Sequence, residues 1–131
     1  MKSKFFVPFE TAKLLKEKGY PQLGTEHYYN INGDIVVFSD DYEGYTEDII
    51  MRIEQDFFAA LTYHEVLDWL DGKGIYVSAF LCIGETDKED TYKIWWKSFI
   101  DIPPYEEQSS AVCSTREEAL NNGIIKALKM L

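Results

Sequence analysis

The side chains of this chain that could carry out chemistry are few and widely spaced. The histidines are His27 and His64, and the cysteines are Cys82 and Cys113. A metal site needs three or four ligands at set spacing, and the sequence contains neither a His-x-x-x-His nor a Cys-x-x-Cys pair. His64 stands four residues before Asp68, a spacing that indicates a surface pair on a helix. The pattern therefore predicts neither a metal nor a cofactor.

Nucleophilic catalysis is poorly supported as well. Cys113 lies just before a predicted helix cap, where a helix terminus favours the thiolate. No His, Asn or Asp is placed by the sequence to complete a nucleophile pair with it. Phosphate-binding loops, dinucleotide glycine fingerprints and nucleophile elbows are missing. We therefore predict no catalytic residue and a non-catalytic protein. The alternative is a small-molecule enzyme whose site is assembled from distant residues, which spacing along a chain cannot show.

Acidic residues are the main bias in the composition. The formal net charge is −10, and residues 21–71 hold twelve acidic residues and one Arg. A calcium loop at residues 39–50 would have Ser39 first and Ile50 twelfth, so two essential carboxylates are missing. The charge opposes binding to nucleic acid backbones and suits a basic protein partner. A second alternative is thus an acidic inhibitor or nucleic-acid mimic.

Two helices in the first half are marked by their ends. Pro8 stands in the first turn of a helix that Gly19 stops. A capping box at Thr62 and Glu65 opens another helix, whose apolar residues recur at the spacing of one helical face. Between them, residues 47–60 fit a helical stripe, although their first residues could also end a strand. We favour the helix.

The last helix has two alternative starts. Ser114 with Glu117 and Thr115 with Glu118 each satisfy the spacing of a capping box, and the helix then continues to the end of the sequence. Gly123 interrupts it at a cost of about 1 kcal/mol relative to Ala. A glycine retained at that cost predicts close packing against another backbone.

Strand signals lie in two places. Asn32-Gly33 between two apolar runs predicts a hairpin that turns at these two residues. Residues 75–83 carry apolar side chains on both faces, which predicts a central strand, and residues 92–100 form its partner. Two prolines at 103–104 are predicted to break the sheet. Residues 106–113 then form a loop or a short edge strand.

The outer face of the strand at residues 92–100 is the candidate interface. Its side chains mix aromatic rings with charge, a composition suited to an interface with a charged rim. The candidate residues are Trp95, Phe99, Lys93 and Lys97. We predict a homodimer through this face. The alternative is that the second helix, or residues 47–60, covers the face within one monomer.

Together these elements predict an α+β fold, with an antiparallel sheet of about four strands and helices packed mainly on one face. A length of 131 residues fits a single globular domain, residues 1–131. No apolar run approaches the roughly 20 residues of a membrane span, and no signal-peptide pattern opens the sequence. Two cysteines make no disulfide framework. We expect a cytoplasmic protein that binds neither membranes nor nucleic acid.

Parts of the sequence resemble a family. The block from Thr62 to Leu70, the pair Trp95-Trp96 and the helix opened by Thr115 resemble small uncharacterised proteins of Bacteroides-type bacteria, their phages and mobile elements. Residues 9–20 resemble the opening of the same proteins. The resemblance implies a macromolecule-binding accessory protein of a phage or mobile element. It transfers no site residue, because no activity is attached to the family.

Overall fold

A computed structural model describes residues 5–38, 46–108 and 111–131, without the side chains of residues 105–108. Helices and strands both occur there, which confirms the α+β prediction. In chain order they are α1 (Phe9–Glu17), β1 (His27–Tyr29), β2 (Ile35–Val37), α2 (Glu47–Asp56), β3 (Phe58–Ala59), α3 (Tyr63–Asp71), β4 (Tyr76–Glu85), β5 (Tyr92–Ile102), β6 (Tyr105–Gln108) and α4 (Arg116–Lys129). The predicted acidic loop at residues 39–45 lies outside the described residues. The chain divides into two compact units, Met1–Tyr63 and His64–Leu131.

The strands of the described residues form two sheets of three strands each, where the sequence predicted one sheet of about four. The first sheet has the order β2-β1-β3 and the second β4-β5-β6, and all pairs are antiparallel. Hairpin signals are local, whereas membership of a sheet depends on which distant strands pair. Sequence patterning therefore located both hairpins but could not separate the two sheets.

The first hairpin turns over three residues instead of the expected two. The Gly33 amide donates to the Asn30 carbonyl at 3.0 Å, and the Asn30 amide donates to the Asp34 carbonyl at 2.8 Å. The Asn30 side-chain oxygen also accepts from the amides of Asn32 and Asp34. Gly33 has a φ of 84°, as the last residue of such a loop requires. The Asn30 side chain thus stabilises the longer turn.

The segment at residues 47–60 is a helix followed by a short strand. Thr46 caps α2, since its hydroxyl accepts a hydrogen bond from the Ile49 amide at 3.3 Å. The helix ends at Asp56, and Phe58–Ala59 then pairs with Tyr28 and Tyr29 of β1. The helix favoured by the sequence is confirmed over ten residues. The two-residue strand after it was missed, because only its pairing partner defines it.

In the second unit, α3 begins directly after Thr62, as predicted, and buries Val66 and Leu70. Its end is marked by Gly74, which has a φ of 77°. The Ile75 amide donates to the Leu70 carbonyl at 3.0 Å and closes the helix. This arrangement satisfies one of the last helix carbonyls and turns the chain into β4.

β4 is an edge strand, which corrects the prediction that it is central. It pairs on one side with β5, in a register that runs without interruption from Tyr76↔Asp101 to Glu85↔Tyr92. The apolar residues on both of its faces suggested cover on both faces. The sequence of a strand shows which of its side chains are apolar, but it does not show which other elements pack against them.

The prolines at residues 103–104 do not break the second sheet. They form the tight turn between β5 and β6, and Ile102 pairs with Tyr105 on either side of them. β6 confirms the short edge strand that the sequence offered as one of two alternatives for residues 106–113. Proline has no amide hydrogen to donate, and it fits here because these turn positions lie outside the strand pairing.

α4 packs against both strands of the β4–β5 hairpin. Its N-cap is Thr115, whose hydroxyl accepts from the Glu118 amide at 3.1 Å, so the second of the two predicted starts is the correct one. Gly123 packs closely against the sheet, as predicted, but the nearest atoms are side-chain atoms of Val77 and Ser98 and not the backbone that the prediction named. Ile124 and Leu128 are fully buried.

Candidate functional site on the β4–β5 hairpin

Each side of the β4–β5 hairpin carries a distinct set of side chains. Residues that face each other across an antiparallel pair lie on the same side of the sheet. The register therefore defines a helix face, against which α4 packs, and an opposite aromatic face. The helix face comprises Val77, Ala79, Leu81, Ile83, Glu85, Tyr92, Ile94, Trp96, Ser98 and Ile100. The aromatic face comprises Tyr76, Ser78, Phe80, Cys82, Gly84, Lys93, Trp95, Lys97, Phe99 and Asp101.

The helix face is covered at one end and open at the other. Near α4, Val77, Ser98 and Ile100 are buried. Toward the hairpin tip the exposed fractions are 45% for Leu81, 65% for Ile83, 64% for Tyr92 and 60% for Ile94. These four side chains, the distal patch, adjoin one another because Ile83 pairs with Ile94 and Leu81 with Trp96 beside it. A cluster of exposed apolar side chains on a regular sheet is typical of a binding surface.

The four predicted interface residues lie together on the aromatic face. Lys93 is exposed, and Trp95, Lys97 and Phe99 are half-buried. Phe99 contacts Phe80 with the ring centroids 5.9 Å apart. Their role in an interface stays a prediction.

The Trp95 ring lies close to Gly84 of the neighbouring strand β4. A β-carbon added to Gly84 would lie 2.9 Å from the Trp95 ring, so a glycine is needed for this contact. The Trp95 indole nitrogen is buried and has no hydrogen-bond partner among the described residues. Trp95 is thus packed as part of the hairpin itself, whereas the distal patch leaves its side chains in solvent.

The hairpin tip adds charge beside the distal patch. Residues 85–92 curl around a solvent-open concavity of about 320 Å³. Thr86 and Thr91 contact each other through their hydroxyl groups, and the Thr91 hydroxyl donates to the Lys88 carbonyl at 2.8 Å. Residues 85–90 contain four acidic residues and one Lys, a net charge of −3. The distal patch therefore has an acidic border on its outer side.

The histidines and cysteines are spread over the fold. The His27 ring contacts Phe6 in the first unit, with 5.0 Å between centroids. In the second unit, His64 Nε2 lies 3.3 Å from the Asp68 carboxylate in an exposed pair, as the spacing predicted. The buried Cys113 thiol accepts a hydrogen bond from the Asn122 side-chain amide at 3.1 Å. Within the described part of the chain, no three His, Cys, Asp or Glu side chains lie close enough to hold a metal ion.

The acidic segment is described only in part. The carboxylates of residues 40, 41 and 43 lie outside the described residues. On α2, the acidic side chains are all exposed: Glu47, Asp48, Glu54 and Asp56. Arg52 lies 3.8 Å from Asp56 in an exposed pair, which is worth little in water. The binding of a basic partner by this segment stays a prediction.

The sequence analysis placed the four residues of the distal patch in strands, but it did not predict that they form an exposed apolar surface. The signal was present as apolar side chains on both faces of residues 75–83. Cover on both faces was the simpler interpretation, and only the position of α4 shows where that cover ends.

Comparison of the chain with protein-family models, curated proteins and solved structures finds no match in any of the three. No helix among the described residues is long and apolar enough to cross a membrane.

Proposed function

We propose that this chain is a protein-binding module whose contact surface is the distal patch. One observation carries the proposal: Leu81, Ile83, Tyr92 and Ile94 are all exposed and adjoin one another on a regular two-stranded ladder. A rigid ladder presents these side chains without the ordering cost that a flexible loop would add on binding. The protein acts by binding and carries out no reaction.

The distal patch is large enough to form the centre of an interface. Complete burial of one large apolar side chain contributes about 1.5–3 kcal/mol. Association costs roughly 4–15 kcal/mol in lost freedom of motion, so four such side chains must be supplemented by contacts around them. The acidic tip at residues 85–90 lies where those contacts would form.

The chemistry of the border specifies the partner. An apolar centre beside a tip with a net charge of −3 fits a protein surface in which apolar residues are bordered by Lys or Arg. The exposed carboxylates of α2 favour the same class of partner. The association rate should therefore fall as salt rises, because salt screens the attraction between exposed charges.

The resemblance to small proteins of Bacteroides-type bacteria, their phages and mobile elements supports a biological setting for this role. In that setting the chain is a cytoplasmic accessory protein of a phage or mobile element, and its partner is a basic protein. The composition supports the same partner, since the whole chain carries a net charge of −10.

Site-specific photo-crosslinking tests which surface binds. A photo-reactive amino acid replaces Ile94 on the distal patch, Lys93 on the aromatic face, or Ile31 in the first hairpin turn. Ile31 is the matched control, because it is also a large apolar residue and is 72% exposed. The probes are expressed in cells that naturally make the chain, and adducts are identified by mass spectrometry.

The proposal expects one discrete adduct from position 94 with a protein other than the chain itself. That protein, once purified, should bind more weakly at about 1 M salt than at about 0.1 M, where the Debye lengths are about 3 and 10 Å. An adduct from position 93 alone would assign binding to the aromatic face instead. Equal adducts from all three positions, or none, would overturn the proposal.

A further inference from the structure

Among the described residues, none pairs with the outer edge of β4. β5 occupies one side of this ten-residue strand. On the other side, no residue of the described chain pairs with it. Successive residues of a strand direct their backbone amide and carbonyl groups to opposite edges. About half of the residues in β4 therefore direct these groups away from β5. Such a row of donors and acceptors is a template for another strand.

The other sheet edges among the described residues are short or charged. β2 has three residues and β3 has two. β6 has four, of which the central two are Glu106 and Glu107. β4, in contrast, contains neither a proline nor a charged residue from Tyr76 to Gly84, and its register with β5 has no bulge. Natural edges are protected by short length, charge, proline or bulges, and β4 has none of these.

We propose that β4 pairs antiparallel with β4 of a second copy of this chain, which joins the two three-stranded β4-β5-β6 sheets into one continuous six-stranded sheet. Two identical antiparallel strands are related by a two-fold axis perpendicular to the sheet. Every outward amide of one copy then meets an equivalent carbonyl of the other, so the edge is complementary to itself. The same axis keeps the helix faces of both copies on one side of the joined sheet.

Electrostatics favours this edge as the meeting point of two copies. Each copy carries a net charge of −10, so approach through most surfaces brings acidic side chains together. The stretch from Tyr76 to Gly84 offers a contact without charged side chains of its own. The dimer should accordingly become tighter as salt rises, which is the opposite of the response expected for a basic partner.

The inference goes beyond the proposed function and does not depend on it. Edge pairing uses the backbone of β4, whereas partner binding uses the side chains of the distal patch. Pairing also brings Leu81 and Ile83 of the two copies onto the same side of one sheet, because the two-fold axis preserves the faces. Because the two strands run antiparallel, the dimer would carry its two distal patches on the same side of the joined sheet but toward opposite ends of it.

Two measurements on the unmodified chain test the dimer. Sedimentation over a range of micromolar concentrations, at about 0.1 M and about 1 M salt, should show a monomer–dimer equilibrium that shifts toward dimer at the higher salt. Amide exchange followed by NMR should show that alternate amides of β4 become protected as concentration rises. A dimer that packs by its sheet faces would leave those amides unprotected.

Three variants separate edge pairing from partner binding. Ser78→Glu places a carboxylate on the exposed side of β4 next to the joined edge, and should weaken the dimer by at least about tenfold because a charged side chain on an edge strand opposes pairing with another strand. Ile94→Lys alters the distal patch on β5 and should leave the dimer unchanged. Val37→Glu is the matched control, because Val37 is 65% exposed in the edge strand β2 of the other sheet.

Each outcome decides between the possibilities. Concentration-dependent protection of alternate β4 amides together with loss of the dimer in Ser78→Glu supports edge pairing. A chain that stays monomeric at the higher salt, a dimer with unprotected β4 amides, or a folded Ser78→Glu variant with an unchanged dimer overturns it. None of these results affects the adduct expected from position 94, so the two proposals fail separately. Circular dichroism melting confirms that each variant is folded.

Discussion

Gly123 of α4 lies directly against Ser98 of β5, so that a β-carbon on Gly123 would be 2.8 Å from the Ser98 β-carbon. This distance is shorter than the van der Waals contact between two carbon atoms. The distance from the added β-carbon to Val77 Cγ1 would be shorter still, at 2.7 Å. The glycine therefore sets how closely the helix approaches the sheet. α4 covers only the near part of the helix face, and the distal patch lies beyond that cover.

Gly123→Ala should destabilise the chain, although alanine is the better helix former. Alanine gains about 1 kcal/mol in helix propensity, while overpacking a close contact costs roughly 1–3 kcal/mol. We expect a net loss, measured as the free energy of unfolding in urea. In a Val77→Ala background the loss should shrink, because the nearest obstructing methyl group is gone. A stabilised single variant would contradict the close packing of α4 on the sheet.

Thr115→Ala should cost about 1 kcal/mol of stability, because the Thr115 hydroxyl caps α4 through the Glu118 amide. Ser114→Ala is the matched comparison. Among the described residues, the Ser114 hydroxyl contacts only the exposed Glu118 carboxylate, at 3.3 and 3.4 Å, so its loss should cost less than about 0.5 kcal/mol. Thermal melting of both variants gives the ranking. Equal losses, or a larger loss for Ser114→Ala, would argue against Thr115 as the cap.

Helices could be located from the sequence because their signals are local. The Thr115–Glu118 spacing and the glycine after α3 lie within a few residues of the structure that they mark. β3 illustrates the opposite case. Its two residues, Phe58 and Ala59, are defined by pairing with Tyr28 and Tyr29, about thirty positions earlier in the chain, and no local pattern contains that information.

The candidate site illustrates the same limit. Alternation in β5 correctly placed Lys93, Trp95, Lys97 and Phe99 on one face, since a strand turns every second side chain to the same side. What covers each face depends on where α4 ends relative to the hairpin. Ile83 and Ile100 have similar side chains on the same face, yet Ile83 is 65% exposed and Ile100 is fully buried.

Tyr29→Phe should destabilise the first unit by roughly 1–3 kcal/mol, because it leaves the Val7 carbonyl without its side-chain donor in a buried site. The Tyr29 hydroxyl donates to that carbonyl at 2.6 Å. Tyr76→Phe is the control, since Tyr76 is exposed and its hydroxyl has no such partner among the described residues. Its free energy of unfolding should change by less than about 0.5 kcal/mol.

Tyr29 should also make stability fall at alkaline pH. Burial raises the pKa of its hydroxyl above the ordinary value of 10.0. The folded state then holds the proton more tightly than the unfolded state. Its contribution is complete below pH 10.0 and is lost as the pH rises from there through the raised pKa. Unfolding followed across this range should show a steeper loss in the unmodified chain than in Tyr29→Phe, and identical slopes would refute the assignment.

Lys16→Met should destabilise the chain by roughly 1 kcal/mol, since it removes a charged donor from the end of α2. Lys16 Nζ donates to the Phe57 carbonyl at 2.8 Å, and α2 has no basic residue in its own last turn. Methionine keeps the apolar stem of the side chain, so the lost packing is small. Urea unfolding of Lys13→Met provides the control. Lys13 Nζ and Lys16 Nζ each lie 4.7 Å from an aromatic ring centroid, but within the described part of the chain Lys13 pairs only with exposed Glu10.

The pH dependence of Lys16 should run opposite to that of Tyr29. Desolvation by burial lowers the pKa of Lys16 below 10.5, despite the attraction of the Asp56 and Glu54 carboxylates. The unfolded state therefore binds this proton more tightly, and stability from Lys16 rises as the pH increases from the lowered pKa to 10.5. The stability difference between the unmodified chain and Lys16→Met should widen over that interval. A Lys16→Met difference that narrows with rising pH would show that the ammonium group is not desolvated at the end of α2.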